Sequence, residues 1–514
     1  MLVPSIFESE NVGWFFLSGE LERPLSANSA AIASGIISDS TPSLRFSALA
    51  RDVVTMGSGT VLTAVFNTAL VFLIPPLVSV EDFGYWRLFM LYGSYAGFLH
   101  LGLSDGALLR WAGKPLEKFH HEIAPSLTFL FWQLLALIVP ACLIIALAVS
   151  SPMKVIGIAT LIFALIMNLW TLLQYGLQAA RHFSTVAIAT VAPTGVFLIL
   201  TVVLNLRRAP GFRGLIVLYC VSWAGALLYL WLRLKPLEAS DVPVSRWPLV
   251  KSCILLGWPV VLANGGFSLV QSADRLAVSS VLPIYDFAQY SLASSMMFIP
   301  VTAIAAVYRV FFSHVAAVEH EGRSKVYAHA SRFLLLAWSL LLPYYFFLEI
   351  IVRRFLHKYL AALPVAGILL LGVIFLAGIQ VLHMSFAYIY GKQRQFLFLT
   401  VGALILSFSV GLFTAFYYRS LTAVAGGQVI VLAIWWLTNE WALRKITGQR
   451  WKDSALILTT FVWSAAGFAV AMAYGKNPGF RALIYYAIVS LCLMVACRSE
   501  LRITWKLLSR SGVV

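Results

Sequence analysis

Long apolar segments recur along the whole of this 514-residue chain. A helix that crosses a bilayer needs roughly 20 mostly apolar residues, and fourteen segments meet that requirement. Because the bilayer core offers the backbone no hydrogen-bond partner, each segment is expected to be α-helical. Only 11% of the residues are charged, whereas a soluble domain carries about 25%. The sequence therefore predicts an all-α polytopic membrane protein with about 14 transmembrane helices.

The predicted spans follow one another with short connections. They are residues 53–78, 85–109, 123–149, 155–177, 186–206, 215–232, 252–282, 287–315, 327–351, 361–390, 396–417, 421–443, 455–474 and 482–497.

Two short sequence patterns occur twice at almost the same interval. Residues 80–86 read VEDFGYW and residues 284–290 read IYDFAQY, and each copy opens an apolar span. Residues 181–183 (RHF) and 394–396 (RQF) each follow a span. Internal repeats over such an interval are typical of two-lobed membrane transporters. We therefore predict two six-helix lobes related by a pseudo-two-fold axis along the membrane normal, followed by two extra C-terminal helices.

This division gives five regions. Residues 1–50 are predicted to be a mobile cytoplasmic tail, residues 51–235 the first lobe and residues 251–445 the second lobe. Residues 236–250 are polar and contain three prolines, as expected for a cytoplasmic linker. Residues 453–514 are predicted to hold the last two spans and a cytoplasmic C-terminal tail.

Positive charge is unevenly distributed around the spans. With the N-terminus inside, Lys and Arg on the inner side outnumber those on the outer side by about two to one, as the positive-inside tendency requires. This bias predicts two cytoplasmic termini, and the net charge of +16 follows from it and suits contact with anionic lipid headgroups. Nucleic-acid binding has no support. The pairs Arg207–Arg208 and Arg353–Arg354 lie on the outer side, against the bias.

Few features of the chain suggest enzymatic chemistry. The five cysteines lie in apolar spans at spacings that suggest neither a metal site nor disulfides. A phosphate-binding GxxxxGK[ST] motif is missing, and we expect no cofactor. Asp82 and Asp286 occupy equivalent turns, where a helix N-cap explains both. The sequence predicts that the protein is not an enzyme. A membrane glycosyltransferase or polymerase, which would need a long outward loop, remains an alternative.

Ionisable residues inside spans are candidates for a binding site. Three arginines stand out, namely Arg87, Arg275 and Arg309. The guanidinium group stays charged and binds phosphate oxygens in a bidentate manner, so arginines from two lobes would favour an anionic cargo such as a diphosphate. Each has an alternative explanation: snorkelling to the interface for Arg87, pairing with Asp274 for Arg275, and an inner-interface position for Arg309.

Amide side chains form a second set of candidates. Asn67, Gln174 and Gln271 lie in predicted spans, and mixtures of amides and aromatic rings suit sugars. For any one of these residues, hydrogen bonding between helices is the stronger explanation. Asp105, Asp274 and Glu440 are further candidates, for coupling an ion.

Several short motifs resemble a known family. Residues 81–86 (EDFGYW) with 100–106 (HLGLSDG) look like the first lobe of polysaccharide or O-antigen flippases, and residues 257–259 (GWP) with Asp274 and Arg275 look like the second. These flippases belong to the superfamily of multidrug, oligosaccharidyl-lipid and polysaccharide exporters, the MATE-like transporters. The resemblance covers roughly residues 50–450. It implies two six-helix bundles facing a central cavity.

The resemblance also implies a function. It is transport of an undecaprenyl-diphosphate-linked oligosaccharide across the bacterial inner membrane, for lipopolysaccharide O-antigen, capsule or exopolysaccharide assembly. In the related lipid II flippases cavity arginines are thought to hold the diphosphate, and Arg87 and Arg275 lie in the corresponding spans. The expected partners are the lipid-linked oligosaccharide, membrane lipids and polysaccharide polymerase machinery. Drug exporters usually have twelve spans, but a cation-coupled multidrug exporter remains an alternative.

Overall fold

The computed structural model describes residues 46–205, 211–235, 246–297, 300–301, 315, 320–448, 451–475 and 477–496. The predicted site residue Arg309, most of the predicted tail 1–50 and the linker residues 236–245 lie outside this part. Eleven described helical segments are long and apolar enough to cross a membrane. The prediction of an all-α, multi-pass membrane protein is confirmed.

The helices are numbered in chain order. The first half of the chain contains α1 (Phe46–Leu77), α2 (Val80–Ala96), α3 (Leu103–Trp111), α4 (His120–Ala148), α5 (Met153–Ala179), α6 (Phe183–Asn205) and α7 (Gly211–Leu234). The second half contains α8 (Arg246–Val270), α9 (Ala273–Val281), α10 (Ile284–Met296), α11 (His320–Leu341), α12 (Tyr344–Phe355), α13 (Ala362–Ala377), α14 (Met384–Ile389), α15 (Gln393–Tyr417) and α16 (Leu421–Thr447). A C-terminal pair follows, α17 (Trp451–Tyr474) and α18 (Pro478–Ala496).

Four predicted spans are interrupted helices rather than continuous ones. The second span is α2 and α3 joined through a 3₁₀ turn at Gly97–His100, and the seventh is α8 and α9. The ninth is α11 and α12, which meet at Pro343. The tenth is α13 and α14, joined by a π-helical turn at Gly378–His383. By contrast, α1, α6 and α8 run through their internal prolines.

The two halves repeat the same helix pairings. In the first half α1 packs on α6, α2 on α5, α5 on α7, and α6 on α7. The corresponding pairs of the second half are α8 with α15, α10 with α13, α13 with α16, and α15 with α16. Equivalent spans thus have equivalent neighbours, as expected for two six-helix lobes that arose from one repeated unit.

We name the two ends of the bundle by what they carry. The linker end holds Leu234 and Arg246, which flank the connection between the halves. The repeat end holds the two repeated turns before α2 and α10, and these turns pack on each other. A Cβ on Gly84 would lie 2.7 Å from the Ile284 carbonyl oxygen and 3.3 Å from the Ala288 Cβ. Both repeats therefore lie at the same end, as a two-fold axis along the membrane normal requires.

The repeated acidic residues are not the helix caps that the sequence predicted. Ser79 is the N-cap of α2, and its hydroxyl accepts a hydrogen bond from the Asp82 backbone N–H (3.0 Å) and donates one to the Asp82 carboxylate (3.0 Å). Asp82 also accepts a hydrogen bond from the Phe212 backbone N–H at the start of α7 (3.2 Å). In the second repeat Pro283 occupies the N-cap position and has no hydroxyl, so Asp286 stands in the first turn without such a partner.

The C-terminal pair packs on the ninth span. The buried Glu349 carboxylate on α12 accepts two hydrogen bonds from Arg481 on α18, both 2.7 Å long. Arg353, one turn along α12, donates a third at 2.8 Å. Arg353, which the predicted topology places on the outer side against the positive-inside tendency, thus has a structural role in binding Glu349.

Candidate functional site at the interface of the two halves

Arg87 and Arg275 approach each other across the interface of the halves. Arg87 is the eighth residue of α2 and Arg275 the third of α9, and each lies about 10 Å from the repeat end at 1.5 Å per residue. Their charges are close enough to interact. The Nε atom of Arg87 is buried without a hydrogen-bond partner among the described residues. The sequence prediction of arginines from two lobes meeting in one region therefore matches their placement.

Tyrosines and serines join the same two helices. The hydroxyls of Tyr95 on α2 and Ser272, which precedes α9, lie 2.5 Å apart. The Tyr92 side chain lies near that of Ser279 on α9. These contacts hold α2 beside α9, so the arginines are positioned by packing between the halves. We call Arg87, Tyr92, Tyr95, Asp274 and Arg275 the interface cluster.

Asp274 is the acidic residue of the interface cluster. It is buried, and Tyr290 on α10 donates a hydrogen bond to its Oδ2 atom (2.7 Å), while the Arg275 backbone N–H donates to Oδ1 (2.7 Å). Its charge also interacts with that of Arg275. One carboxylate against two guanidinium groups leaves the cluster with an excess positive charge.

A pocket opens beside the cluster within the second half. Its lining combines the polar residues of α9 and α10 with apolar residues of α13 and α16. The lining residues are Gln271, Asp274, Arg275, Ser294, Met297, Val301, Leu369, Leu376, Gln428 and Leu432. The Ser294 hydroxyl is buried and has no hydrogen-bond partner among the described residues. The pocket therefore presents polar groups and one guanidinium to an otherwise apolar space.

The helix breaks near the cluster are closed by amide side chains. Asn168 donates to the Ala96 carbonyl (2.8 Å) and Gln133 to the Leu99 carbonyl (2.9 Å), at the break between α2 and α3. Gln428 donates to the Val270 carbonyl (2.8 Å) at the break between α8 and α9. A backbone group freed inside a membrane needs such a partner. These amides stabilise the interruptions that place Arg275 near the start of a short helix.

The halves also touch at the linker end. A methyl group at Gly106 of α3 would overlap the Cys253 carbonyl oxygen of α8, and one at Gly257 would overlap the Gly102 carbonyl oxygen. Arg110 pairs with Glu122 (3.0 Å) and reaches the Ser252 hydroxyl across the interface (3.3 Å). The interface is therefore closed at both ends in this conformation.

The remaining predicted residues occupy different places. Gln271 lines the pocket, and its carbonyl accepts from Arg275 Nη2 (3.5 Å). Gln174 donates to Thr190 within the first half (3.0 Å), which is the interhelical alternative. Asn67 is exposed on α1. The structure does not join either of these two to the interface cluster.

Sequence reasoning did not single out Tyr92, Tyr95 or Tyr290. Tyr92 and Tyr95 are one helical turn apart on α2 and about one and two turns beyond Arg87, so helical spacing from Arg87 was a usable signal. Tyr290 is the repeat counterpart of Trp86 and lies in the motif 284–290, for which the sequence predicts only a turn. Its contact with Asp274 depends on the packing of α10 against α9, which the sequence does not reveal.

The fold is similar to those of several solved proteins. No family model and no curated sequence matches the chain. The solved lipid II flippase MurJ in an inward closed conformation is similar with a TM-score of 0.64 at 14% identity, covering 88% of this chain and 98% of that one. An inward-facing multidrug resistance MATE family transporter of the MOP superfamily has a TM-score of 0.54 at 12% identity, covering 75% and 99%. The MATE multidrug transporter DinF-BH, solved in a ligand complex, has a TM-score of 0.51 at 14% identity, covering 80% and 98%.

Proposed function

We propose that this chain is a flippase that moves an undecaprenyl-diphosphate-linked oligosaccharide across the bacterial inner membrane by alternating access. The observation that carries the proposal is the approach of Arg87 and Arg275 from different halves, with Asp274 next to Arg275. Excess positive charge inside a membrane protein is costly unless an anion or water accompanies it. A diphosphate offers several oxygens to two guanidinium forks.

The surroundings of the arginines suit a lipid-linked sugar. Tyr92 and Tyr95 supply aromatic faces with hydroxyls, and Gln271 and Ser294 supply neutral polar groups. Sugar sites combine such groups. The apolar lining from α13 and α16 lies next to them. The headgroup would bind between the halves while the polyprenyl chain remains in the bilayer.

The fold supports a transport cycle. The halves repeat one helix arrangement and touch at both ends, so separation at one end with contact at the other exposes the interface to one side at a time. The lipid II flippase with which the chain shares its fold is named for a lipid-linked cargo. We place the linker end in the cytoplasm because of the excess of Lys and Arg there, and we expect polysaccharide polymerase machinery to take over the exported unit.

A multidrug exporter is the competing function on the same fold. Cationic drugs would meet two arginines at the interface, and this repulsion favours an anionic cargo over them. A glycosyltransferase is disfavoured because the described connections at the repeat end are short, for example residues 78–79 and 282–283. Neither alternative uses the arginine pair.

Binding of undecaprenyl diphosphate to the purified chain in lipid nanodiscs tests the proposal. We expect Arg275→Ala to weaken binding at least tenfold, since a hydrogen bond to a charged group contributes about 1.5–3 kcal/mol. Arg275→Lys should recover part of the loss, because the charge returns without the bidentate fork. In cells Arg275→Ala should abolish polymer export. Arg213→Ala, at an exposed arginine of α7, is the matched control and should bind normally.

The comparison ligands separate the competing functions. Undecaprenyl monophosphate should bind more weakly than the diphosphate, and undecaprenol should not compete. If the diphosphate binds Arg275→Ala as tightly as the unchanged protein, or if a cationic dye displaces it, the flippase assignment fails.

A further inference from the structure

A buried acid–base cluster lies in the second half, away from the interface cluster. The Glu440 carboxylate on α16 accepts hydrogen bonds from Tyr327 on α11 (2.5 Å) and Ser454 on α17 (3.1 Å). The His383 Nε2 atom lies 3.0 Å from the same carboxylate. Glu440 is 2% exposed and His383 is 0% exposed. We call these four residues the Glu440 cluster.

The Glu440 cluster joins four spans next to a π-helical turn. His383 is the last residue of the π-helical turn Gly378–His383, and π turns inside helices are rare and frequently functional. Its ring lies 5.9 Å from the Trp436 ring, one turn before Glu440 on α16. A change at Glu440 therefore acts directly on the contacts among α11, the π turn, α16 and α17.

The hydrogen bonds fix how many protons the pair can hold. If His383 is neutral and donates from Nε2, Glu440 is an unneutralised carboxylate. The His383 Nδ1 atom is also buried, and it has no hydrogen-bond partner among the described residues. One added proton, on either residue, makes the pair neutral, whereas a second would leave a buried positive charge. Since an isolated buried charge is strongly disfavoured, the neutral state of the sealed pair is the one with a single added proton.

No described cation neutralises Glu440 in place of that proton. On α11, Arg323 stacks over the Tyr390 ring (5.6 Å), Lys325 and His329 are exposed, and the half-buried Arg332 makes no ion pair with Glu440. On α16, Arg444 stacks over the Trp451 ring (4.5 Å). Ser454 is the contact from α17, and α13 contributes no ionisable side chain. The side chains of residues 302–314 and 452–453 lie outside the described part.

We propose that Glu440 and His383 form a proton-binding site of the second half. The pair takes up one proton from water and releases it to water. In the protonated state the pair is neutral and the four spans pack as observed. Loss of the proton leaves a net negative charge on the pair, between the four spans. Water must then enter around the π turn to solvate this charge. The proton is thus linked to the packing of α14 and α16, whatever cargo the protein carries.

Infrared difference spectroscopy of the purified chain, titrated from about pH 5 to about pH 9, tests this site. The unchanged protein should show either a protonated carboxyl band of Glu440 or an imidazolium band of His383 that disappears as the pH rises, and Glu440→Gln should lack both. Tyr327→Phe should shift the frequency of the Glu440 band, because one hydrogen bond to the carboxyl is lost; this variant keeps the test valid if Glu440→Gln fails to fold. Glu349→Gln is the matched control, since Glu349 is equally buried but paired with Arg481 and Arg353.

Hydrogen exchange of residues 378–389 supplies an independent measurement. Protection from exchange, corrected for the intrinsic rise of amide exchange with pH, should fall with rising pH in the unchanged protein and in Glu349→Gln. This fall should vanish in Glu440→Gln, whose side chain cannot become negative. A titrating band that persists in Glu440→Gln, or exchange with the same pH dependence in all variants, would overturn the proposal. Neither measurement involves cargo, so the flippase proposal stands or falls separately.

Discussion

At the residue scale, the two copies of the repeated turn have diverged in what their aspartates do. Asp82 bonds to the Ser79 hydroxyl and to the Phe212 backbone N–H, and so connects α2 with α7. Asp286 follows Pro283, which has no side-chain hydroxyl to offer. The sequence predicted one capping role for both residues. It was wrong because neighbouring side chains, rather than the aspartate itself, determine the capping pattern.

This divergence predicts unequal effects of matched substitutions. Asp82→Ala should destabilise the protein by about 1–2 kcal/mol, because it removes a capping interaction and leaves the Phe212 N–H without its acceptor. Asp286→Ala should have an effect of at most about 0.5 kcal/mol. The apparent melting temperature in detergent measures both. Equal losses for the two variants would contradict the assignment of these roles.

At the element scale, the sequence predicted where the spans lie but not where they are interrupted. Apolar content identifies a span because every helix that crosses the bilayer needs roughly 20 mostly apolar residues. The break at Gly97–His100 is stabilised by Gln133 and Asn168, which come from later spans. Prolines do not mark the interruptions either, since α1, α6 and α8 run through theirs. Interruptions that depend on side chains from other helices leave no local signal.

The close contact between α3 and α8 leads to a second prediction, which concerns the accessibility of Cys253. Gly106→Ala should separate these helices at the linker end, because the added methyl group overlaps the Cys253 carbonyl oxygen. Cys253 is fully buried here, so its labelling by a water-soluble thiol reagent, read by peptide mass spectrometry, should increase severalfold.

Gly426→Ala is the control for this prediction, since a Cβ at Gly426 meets nothing within 4 Å. It should leave Cys253 protected. If Cys253 stays equally protected in Gly106→Ala, the close approach of α3 and α8 does not depend on the absence of a side chain at position 106.

At the scale of the whole molecule, the sequence repeats were sufficient to predict two lobes. The recurrence of equivalent helix pairings confirms the six-plus-six arrangement with an additional pair. The candidate site was less predictable. Arg87 and Arg275 were identified from the cost of charge in a membrane, whereas Gln174 proved to bond within its own half. A sequence shows which charged residues lie inside spans, but it does not show which side chains they contact.

The charge asymmetry gives a prediction for orientation. A reporter active only in the cytoplasm should be active when inserted between residues 236 and 245, and inactive when inserted near Arg419, because Lys and Arg near the spans favour the inner side. The opposite pattern would reverse the proposed direction of transport while leaving the fold unaffected.

The attachment of α17 and α18 has a consequence for biogenesis. Glu349 and Glu440 are both buried, yet Arg481 and Ser454, which bond to them, are synthesised only at the end of the chain. Until ribosomes finish those last spans, two carboxylates stand inside an incomplete bundle without these partners. Without α17 and α18, Glu349 would keep the hydrogen bond from Arg353, and Glu440 would keep its contacts with Tyr327 and His383, but each carboxylate would lack its remaining donor. The C-terminal helices thus complete the hydrogen bonding of two buried carboxylates in the second half.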